Sequence, residues 1–169
     1  PGQETYVHCR TYIQVAQAIE KMVIRGAPAI GIAAAYGLVL GAMARNAETG
    51  HSLDRDFEKI YTRLGRTRPT ARNLFWALER MKVAYERTRA ESLRAIRAAL
   101  LEEAKAIERE DAETNRAIGH QGQALLGDGW TVLTHCNAGA LATAEYCTAL
   151  GIVRAEEAEV KTNRFFADS

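Results

Sequence analysis

Residues 130–139 read WTVLTHCNAG, and they decide the fold that we expect for the carboxy-terminal part of the chain. The run from Trp130 to Thr134 has the composition of a short β-strand, and small residues then turn the chain. A helix-like segment follows to about Ala158, and residues 165–167 form a second strand-like run. A strand, a turn, a helix and a second strand within about 40 residues are typical of the first unit of a parallel α/β sheet. Such a unit cannot cover both faces of its own strands, so the sheet needs further partners.

The sequence before this unit predicts a mainly helical domain over residues 1–128, with the α/β unit occupying residues 129–169. Apolar residues recur at helical spacing, and this pattern predicts amphipathic helices over residues 12–23, 54–64, 69–85 and 92–126. Pro28 and Pro69 each suit the first turn of a helix. Residues 5–9 have the composition of a short strand. The expected fold is therefore a helical domain followed by the start of a truncated, Rossmann-like parallel sheet.

Residues 26–44 carry no charge, and their length is the minimum for a membrane-spanning helix. Pro28, four glycines and a preponderance of alanine over leucine favour a buried helix in close contact with its neighbours instead. The amino end lacks the basic start and apolar run of a secretory signal, so we expect a cytoplasmic protein without membrane contact. The first residue is Pro1 rather than Met, and the last strand-like run stops at the final residues, so we expect a portion of a longer protein.

Charge and cysteine content exclude several classes of partner. The 169 residues contain 22 Lys and Arg against 21 Asp and Glu, a formal net charge of +1. Nucleic acids and anionic membrane surfaces usually require a basic excess, so neither is expected as a partner. Three cysteines, Cys9, Cys136 and Cys147, show no metal-type spacing and indicate a reducing compartment. Core packing is the better interpretation for Cys9 and Cys147, and no metal site is expected.

Cys136 is the candidate catalytic residue. It follows the first strand of the α/β unit, where the sequence predicts the amino end of a helix. Exposed N–H groups at such an end favour an anion and lower the pKa of a thiol. The thiol is then a candidate nucleophile, acid or stabiliser of an oxyanion. A small buried residue in a tight turn is an equally good interpretation of the same position.

Two other segments combine an arginine with the start of a predicted helix. Arg25, Gly26 and Ala27 precede the helix that Pro28 opens, so backbone N–H groups and a guanidinium would share one helix end. This arrangement suits a phosphate group, although the same residues also commonly mark the start of a helix that has no binding role. Arg68 repeats the arrangement at a second helix start. Two such ends fit a phosphate with two contacts, but the sequence does not show that they meet.

Three segments resemble the methylthioribose-1-phosphate isomerases and occur in the same order as in that family. They are residues 24–37, IRGAPAIGIAAAYG, residues 67–74, TRPTARNL, and residues 134–143, THCNAGALAT. The resemblance spans nearly the whole chain. The wider group to which these enzymes belong also includes ribose-1,5-bisphosphate isomerases and the regulatory subunits of the eukaryotic initiation-factor exchange complex.

The resemblance implies an aldose–ketose isomerase of methionine salvage that converts 5-methylthioribose 1-phosphate to 5-methylthioribulose 1-phosphate without a metal or organic cofactor. It implies that Arg25, Gly26 and Ala27 hold the substrate phosphate, that Arg68 adds a cationic contact, and that Cys136 is the catalytic thiol. Family members are roughly twice as long and are expected to be homodimers. This chain is therefore expected to be inactive alone. The alternatives are a regulatory or nucleotide-binding module like the initiation-factor subunits, and a ribose-1,5-bisphosphate isomerase.

Overall fold

The computed structural model describes residues 5–44, 50–135, 140–146, 148–157 and 163–168. Within these residues the chain forms helices and two strands, with a short 3-10 turn, Ala140–Ala142, after the first strand. The helices are α1 Tyr12–Glu20, α2 Ala27–Met43, α3 Gly50–Gly65, α4 Arg72–Thr88, α5 Leu93–Gln123 and α6 Ala149–Glu157, and the strands are β1 Thr131–His135 and β2 Arg164–Asp168.

Helix α2 is the centre of the helical part and contacts α1, α3, α4 and α5. It is apolar on all sides, as expected of a helix surrounded by others. Its small residues let the neighbours approach closely: a Cβ atom on Gly41 would lie 2.5 Å from Cδ1 of Ile60. The prediction of a buried helix over this uncharged stretch is confirmed. No helix in the described ranges is long and apolar enough to cross a membrane.

The surrounding helices each bury one apolar stripe against α2, as their spacing predicts. Helix α4 buries Leu74, Ala77, Leu78, Met81 and Tyr85, and α5 buries Ile96, Leu100, Ala104 and Ile107. The side chain of Ser92 begins α5 by accepting a hydrogen bond from the N–H of Ala95 at 3.3 Å. Cys9 lies partly buried against this core, which agrees with its interpretation as a packing residue.

The two strands pair in parallel, which confirms the sequence prediction of a strand–helix–strand unit. Val132 pairs with Phe165 and Leu133 with Phe166. Leu133 is 73% exposed and Phe166 is 58% exposed. These two apolar side chains lie side by side on one face of the pair, between the exposed polar residues Thr131, His135 and Arg164. Two parallel strands do not form an independent core, since sheets of this type are normally covered on both sides.

Two sequence predictions of local structure in the helical domain are wrong. Residues 5–9 do not form a strand, because a strand requires a hydrogen-bonded partner and no described segment pairs with them. Helix α4 begins at Arg72 rather than at Pro69. Residues 68–71 form a turn instead, in which the carbonyl of Arg68 accepts the N–H of Ala71 at 2.9 Å.

The helix predicted after β1 begins later than expected. Only the 3-10 turn follows β1 in the described residues, and α6 starts at Ala149. The segment before it ends with Tyr146 in a left-handed conformation, with φ of 71°, which interrupts any continuous helix. The expected helical position of Cys147 lies outside the described residues.

Candidate phosphate-binding site

The amino end of α2 presents backbone N–H groups without a side-chain partner. Gly26 is the N-cap residue in an extended conformation, and no side chain caps the helix. The first helical hydrogen bond runs from the N–H of Ile30 to the carbonyl of Gly26 at 2.9 Å. The N–H groups of Ala27 and Ala29 therefore precede the helical ladder, and Pro28 has none. Such an end, with the positive pole of the helix dipole, favours an anion.

An arginine precedes each of the two helices: Arg25 lies two residues before α2, and Arg68 lies in the turn before α4. Arg25 is exposed and makes no ion pair within the described ranges. Arg68 is half-buried, and its Nη1 atom is fully buried without a hydrogen-bond partner in the part of the chain that the structure describes. The Oγ1 atom of Thr67 donates to the carbonyl of Leu64 at 2.6 Å, which holds the start of this turn. A buried, unpaired guanidinium nitrogen is costly unless an anion completes it, so Arg68 suits a phosphate contact.

The two helix starts lie against each other. A Cβ atom on Gly31 would lie 2.7 Å from the carbonyl oxygen of Asn73, so the first turns of α2 and α4 touch through their backbones. Pro28 and Asn73 also line one cavity of about 320 Å³. The fold thus brings the beginnings of α2 and α4 together, but this cavity is lined by the carboxylates of Glu110 and Asp111 and by neither Arg25 nor Arg68. A phosphate contact shared by the two arginines therefore stays a prediction.

The chain after β1 also packs on the amino end of α2. A Cβ atom on Gly26 would lie 2.1 Å from Cα of Ala142 and 2.4 Å from its carbonyl oxygen, so only glycine fits there. Cys136 precedes this contact in the sequence but lies outside the described residues, and its catalytic role stays a prediction. The expectation of a helix from about residue 140 is wrong, since residues 140–142 form a 3-10 turn and α6 starts at Ala149.

Sequence reasoning missed the residues that hold this region in place. Asp111 on α5 accepts a hydrogen bond from the N–H of Ala144 through Oδ2 at 2.7 Å. Asp111 also lines the cavity beside Pro28 and Asn73. No pattern in the sequence points to this contact, because a side chain here meets a backbone group 33 residues away.

Two tyrosines fix the helices behind the site. The Tyr36 hydroxyl of α2 donates to the Glu108 carboxylate of α5, and the Tyr61 hydroxyl of α3 donates to Glu79 of α4 at 2.9 Å. Burial, followed by these hydrogen bonds to carboxylates, raises the pKa of each tyrosine to about 12. Both hydroxyls therefore stay protonated at neutral pH and keep donating. In the described part of the chain, no three His, Cys, Asp or Glu side chains group as metal ligands would.

Comparison with known proteins gives two kinds of relative. Residues 23–168 match the model of the initiation factor 2 subunit family. The chain is 52% identical to a methylthioribose-1-phosphate isomerase of Geobacter sulfurreducens, over 99% of this chain and 49% of that protein. It therefore spans about half the length of the curated relatives that it matches.

Two solved structures share the fold. The translation initiation factor eIF-2B subunit delta from A. fulgidus aligns with a TM-score of 0.87 and 41% identity, covering 99% of this chain and 48% of that one. The 5-methylthioribose 1-phosphate isomerase from Pyrococcus horikoshii aligns with a TM-score of 0.82 and 37% identity, covering 93% of this chain and 52% of that one.

Proposed function

Because the chain belongs to the initiation factor 2 subunit family, we propose that it is the phosphate-binding portion of an aldose–ketose isomerase. The proposed reaction converts 5-methylthioribose 1-phosphate to 5-methylthioribulose 1-phosphate in methionine salvage. One observation carries this proposal beyond the names of the relatives: the uncapped start of α2 touches the start of α4, and the turn before α4 holds the unpaired Arg68. A sugar phosphate needs such a site, and a purely structural module does not.

In this proposal the substrate phosphate lies at the start of α2. The N–H groups of Gly26 and Ala27 face it, and the guanidinium groups of Arg25 and Arg68 contribute charge. The anomeric oxygen of the substrate carries the phosphate, so no free aldehyde exists in solution and the sugar ring opens in the site. Ring opening breaks the bond between C1 and the ring oxygen, which takes up a proton. A base then removes the C2 proton to give the enediol form, a proton is added at C1, and the C2 hydroxyl loses its proton to become the ketone, so two protons are taken up and two are released. Cys136 is the proposed thiol for this proton movement.

The remaining part of the site is proposed to come from chain beyond these residues. The chain spans about half of its curated relatives, and the apolar side chains of Leu133 on β1 and Phe166 on β2 are exposed side by side on one face. We assign residues 1–128 to a helical domain and residues 129–169 to the start of a Rossmann-like domain whose further strands cover this face. The complete protein is proposed to be a cytoplasmic homodimer, and the 169 residues alone are proposed to be inactive.

A regulatory module is the second candidate, because the solved eIF-2B subunit delta has the same fold. It predicts binding of nucleotides and no turnover of a pentose phosphate. The chain is 52% identical to the isomerase of Geobacter sulfurreducens, whereas among the solved structures it is 41% identical to the initiation-factor subunit and 37% identical to the isomerase of Pyrococcus horikoshii. A ribose-1,5-bisphosphate isomerase is the third candidate. It differs in requiring a phosphate at C5, where the proposed substrate carries a thioether.

The test is a turnover assay on the protein at the full length of its relatives. Each candidate substrate, 5-methylthioribose 1-phosphate and ribose 1,5-bisphosphate, is supplied separately, and nucleotide binding is measured in parallel. The proposal expects turnover of the first substrate only. Nucleotide binding without turnover would support the regulatory module, and turnover of the bisphosphate alone would support the third candidate.

Variants of the same protein test the proposed roles. Arg68→Ala is expected to raise KM about 10- to 100-fold, since a hydrogen bond to a charged group contributes about 1.5–3 kcal/mol. Arg66→Ala is the matched control, because Arg66 is exposed two residues away. Cys136→Ser is expected to lower kcat about 100-fold or more with little change in KM. Unchanged kcat in Cys136→Ser would remove the catalytic role of the thiol.

A further inference from the structure

The segment that follows the Cys136 turn is held at several points by the helical domain. We refer to residues 140–146 as the anchored turn. Its Ala142 backbone packs on Gly26 of α2. Its Glu145 pairs with Arg116 of α5 at 2.6 Å, where both side chains are more than half exposed. Exposed ion pairs of this kind contribute little, so this pair is a weak attachment.

The end of the anchored turn is fixed by packing. Tyr146 has a φ of 71°, which is uncommon for a residue with a side chain. Its ring fits a notch formed by two glycines: a Cβ atom on Gly119 of α5 would lie 2.9 Å from Cε1 of the ring, and one on Gly151 of α6 would lie 3.3 Å from Cδ1. Surrounding contacts thus hold Tyr146 in a conformation that it would rarely adopt alone.

Asp111 supplies the polar attachment between these two packing contacts. Its Oδ2 atom accepts the N–H of Ala144 at 2.7 Å, in a partly buried position. The backbone of Asp111 is itself held, because its carbonyl accepts the side-chain amide of Asn115 at 2.8 Å. Asn115 is 2% exposed, so its side chain is itself fixed by the packing of the helices. A charged acceptor in a partly buried site makes one of the stronger hydrogen bonds in proteins.

We propose that Asp111 is a positioning residue for the isomerisation, which sets the anchored turn at the amino end of α2 by binding the Ala144 N–H. This inference rests on the proposed function. The described chain is fixed at β1 on one side of residues 136–139 and at the anchored turn on the other. Loss of the Asp111 contact leaves this second end held by packing and one exposed ion pair alone, without a buried polar attachment. The start of α2 and the turn before α4 are held by the packing of their own helices, so we expect loss of the contact to lower turnover more than substrate affinity.

The test compares variants at one position in the full-length protein. Asp111→Ala removes the acceptor, and we expect kcat to fall at least about 10-fold with KM within about twofold, since small displacements of reacting groups have large effects on rate. Asp111→Asn keeps an oxygen of the same reach, and we expect it to restore kcat to within about threefold of wild type. Glu113→Ala, an exposed residue on the same helix, is the control and should match wild type.

Amide hydrogen exchange of Ala144 gives a readout that does not depend on turnover. We expect this N–H to be protected in the wild-type protein and in Asp111→Asn, and to exchange at least 10-fold faster in Asp111→Ala. An unprotected Ala144 in the wild-type protein overturns the inference without any variant, even if Asp111→Ala fails to fold. Unchanged kcat in Asp111→Ala also overturns it. A wild-type protein that protects Ala144 but has no turnover instead refutes the proposed function, and with it the catalytic part of this inference.

Discussion

The contact between Gly26 and Ala142 is so close that adding a single Cβ atom at Gly26 would disrupt it. In Gly26→Ala the new Cβ would lie 2.1 Å from Cα of Ala142. Two carbon atoms normally stay about 3.5 Å apart, so α2 and the anchored turn must separate by about 1.4 Å. Neighbouring atoms here are backbone, which cannot rotate away as a side chain can.

Two measurable effects follow from that separation. Overpacking of this kind costs about 1–3 kcal/mol in the free energy of unfolding. A displacement of about 1 Å between groups that act together lowers a rate by about 100-fold, so we expect kcat/KM for the sugar phosphate to fall by that order. The assay measures steady-state kinetics and thermal unfolding on the full-length protein.

Gly65→Ala is the matched control. A Cβ atom on Gly65 would lie 3.7 Å from Cδ1 of Leu78 and 3.7 Å from Cε1 of Phe75, which is ordinary contact. We expect unchanged kinetics and a free energy of unfolding equal to or up to about 1 kcal/mol above wild type. A Gly26→Ala protein with wild-type kcat/KM would refute the idea that the anchored turn must touch the start of α2.

Further predictions concern stability and solubility. Gly31→Ala is expected to lower the free energy of unfolding by about 1–3 kcal/mol in a denaturant titration, because its Cβ would lie 2.7 Å from the Asn73 carbonyl oxygen, and an unchanged midpoint would contradict that contact. The free energy of unfolding is expected to fall as pH rises from about 10 to 12, since the pKa of tyrosine is near 10 in the unfolded chain and about 12 for Tyr36 and Tyr61 in the folded one. The double variant Tyr36→Phe/Tyr61→Phe should reduce this pH dependence, and an equal dependence in both proteins would contradict the prediction. Leu133→Thr is expected to reduce self-association of the 169-residue chain in light scattering, because Leu133 is 73% exposed on the open sheet face.

The helical domain follows from its sequence because its pattern is local. The uncharged stretch of α2 contains the small residues that close packing requires, and the stripe on α4 recurs at helical spacing. Both features are properties of neighbouring residues in the chain. They therefore appear in the sequence before any tertiary contact is known.

The errors arise where distant parts of the chain decide the local structure. The segment over residues 5–9 has strand-like residues but no described partner to pair with. The delayed start of α6 depends on Tyr146, whose backbone conformation is stabilised by glycines on two helices. The candidate site shows the same division. Arg25 and Arg68 are visible as arginines at predicted helix starts, whereas Asp111 acquires its role only through a backbone group far along the chain.

In the proposed phosphate site, the unpaired Nη1 of Arg68 would link binding of the anion to the lifetime of the protein. A buried cationic nitrogen without a partner destabilises the empty fold, and an anion that completes it stabilises the folded state alone. Binding at 100 times Kd adds about 2.7 kcal/mol to the free energy of unfolding. Since proteases act on opened molecules, the occupied protein should be degraded about 100-fold more slowly through global unfolding. The supply of its own ligand would then set how much of the protein persists.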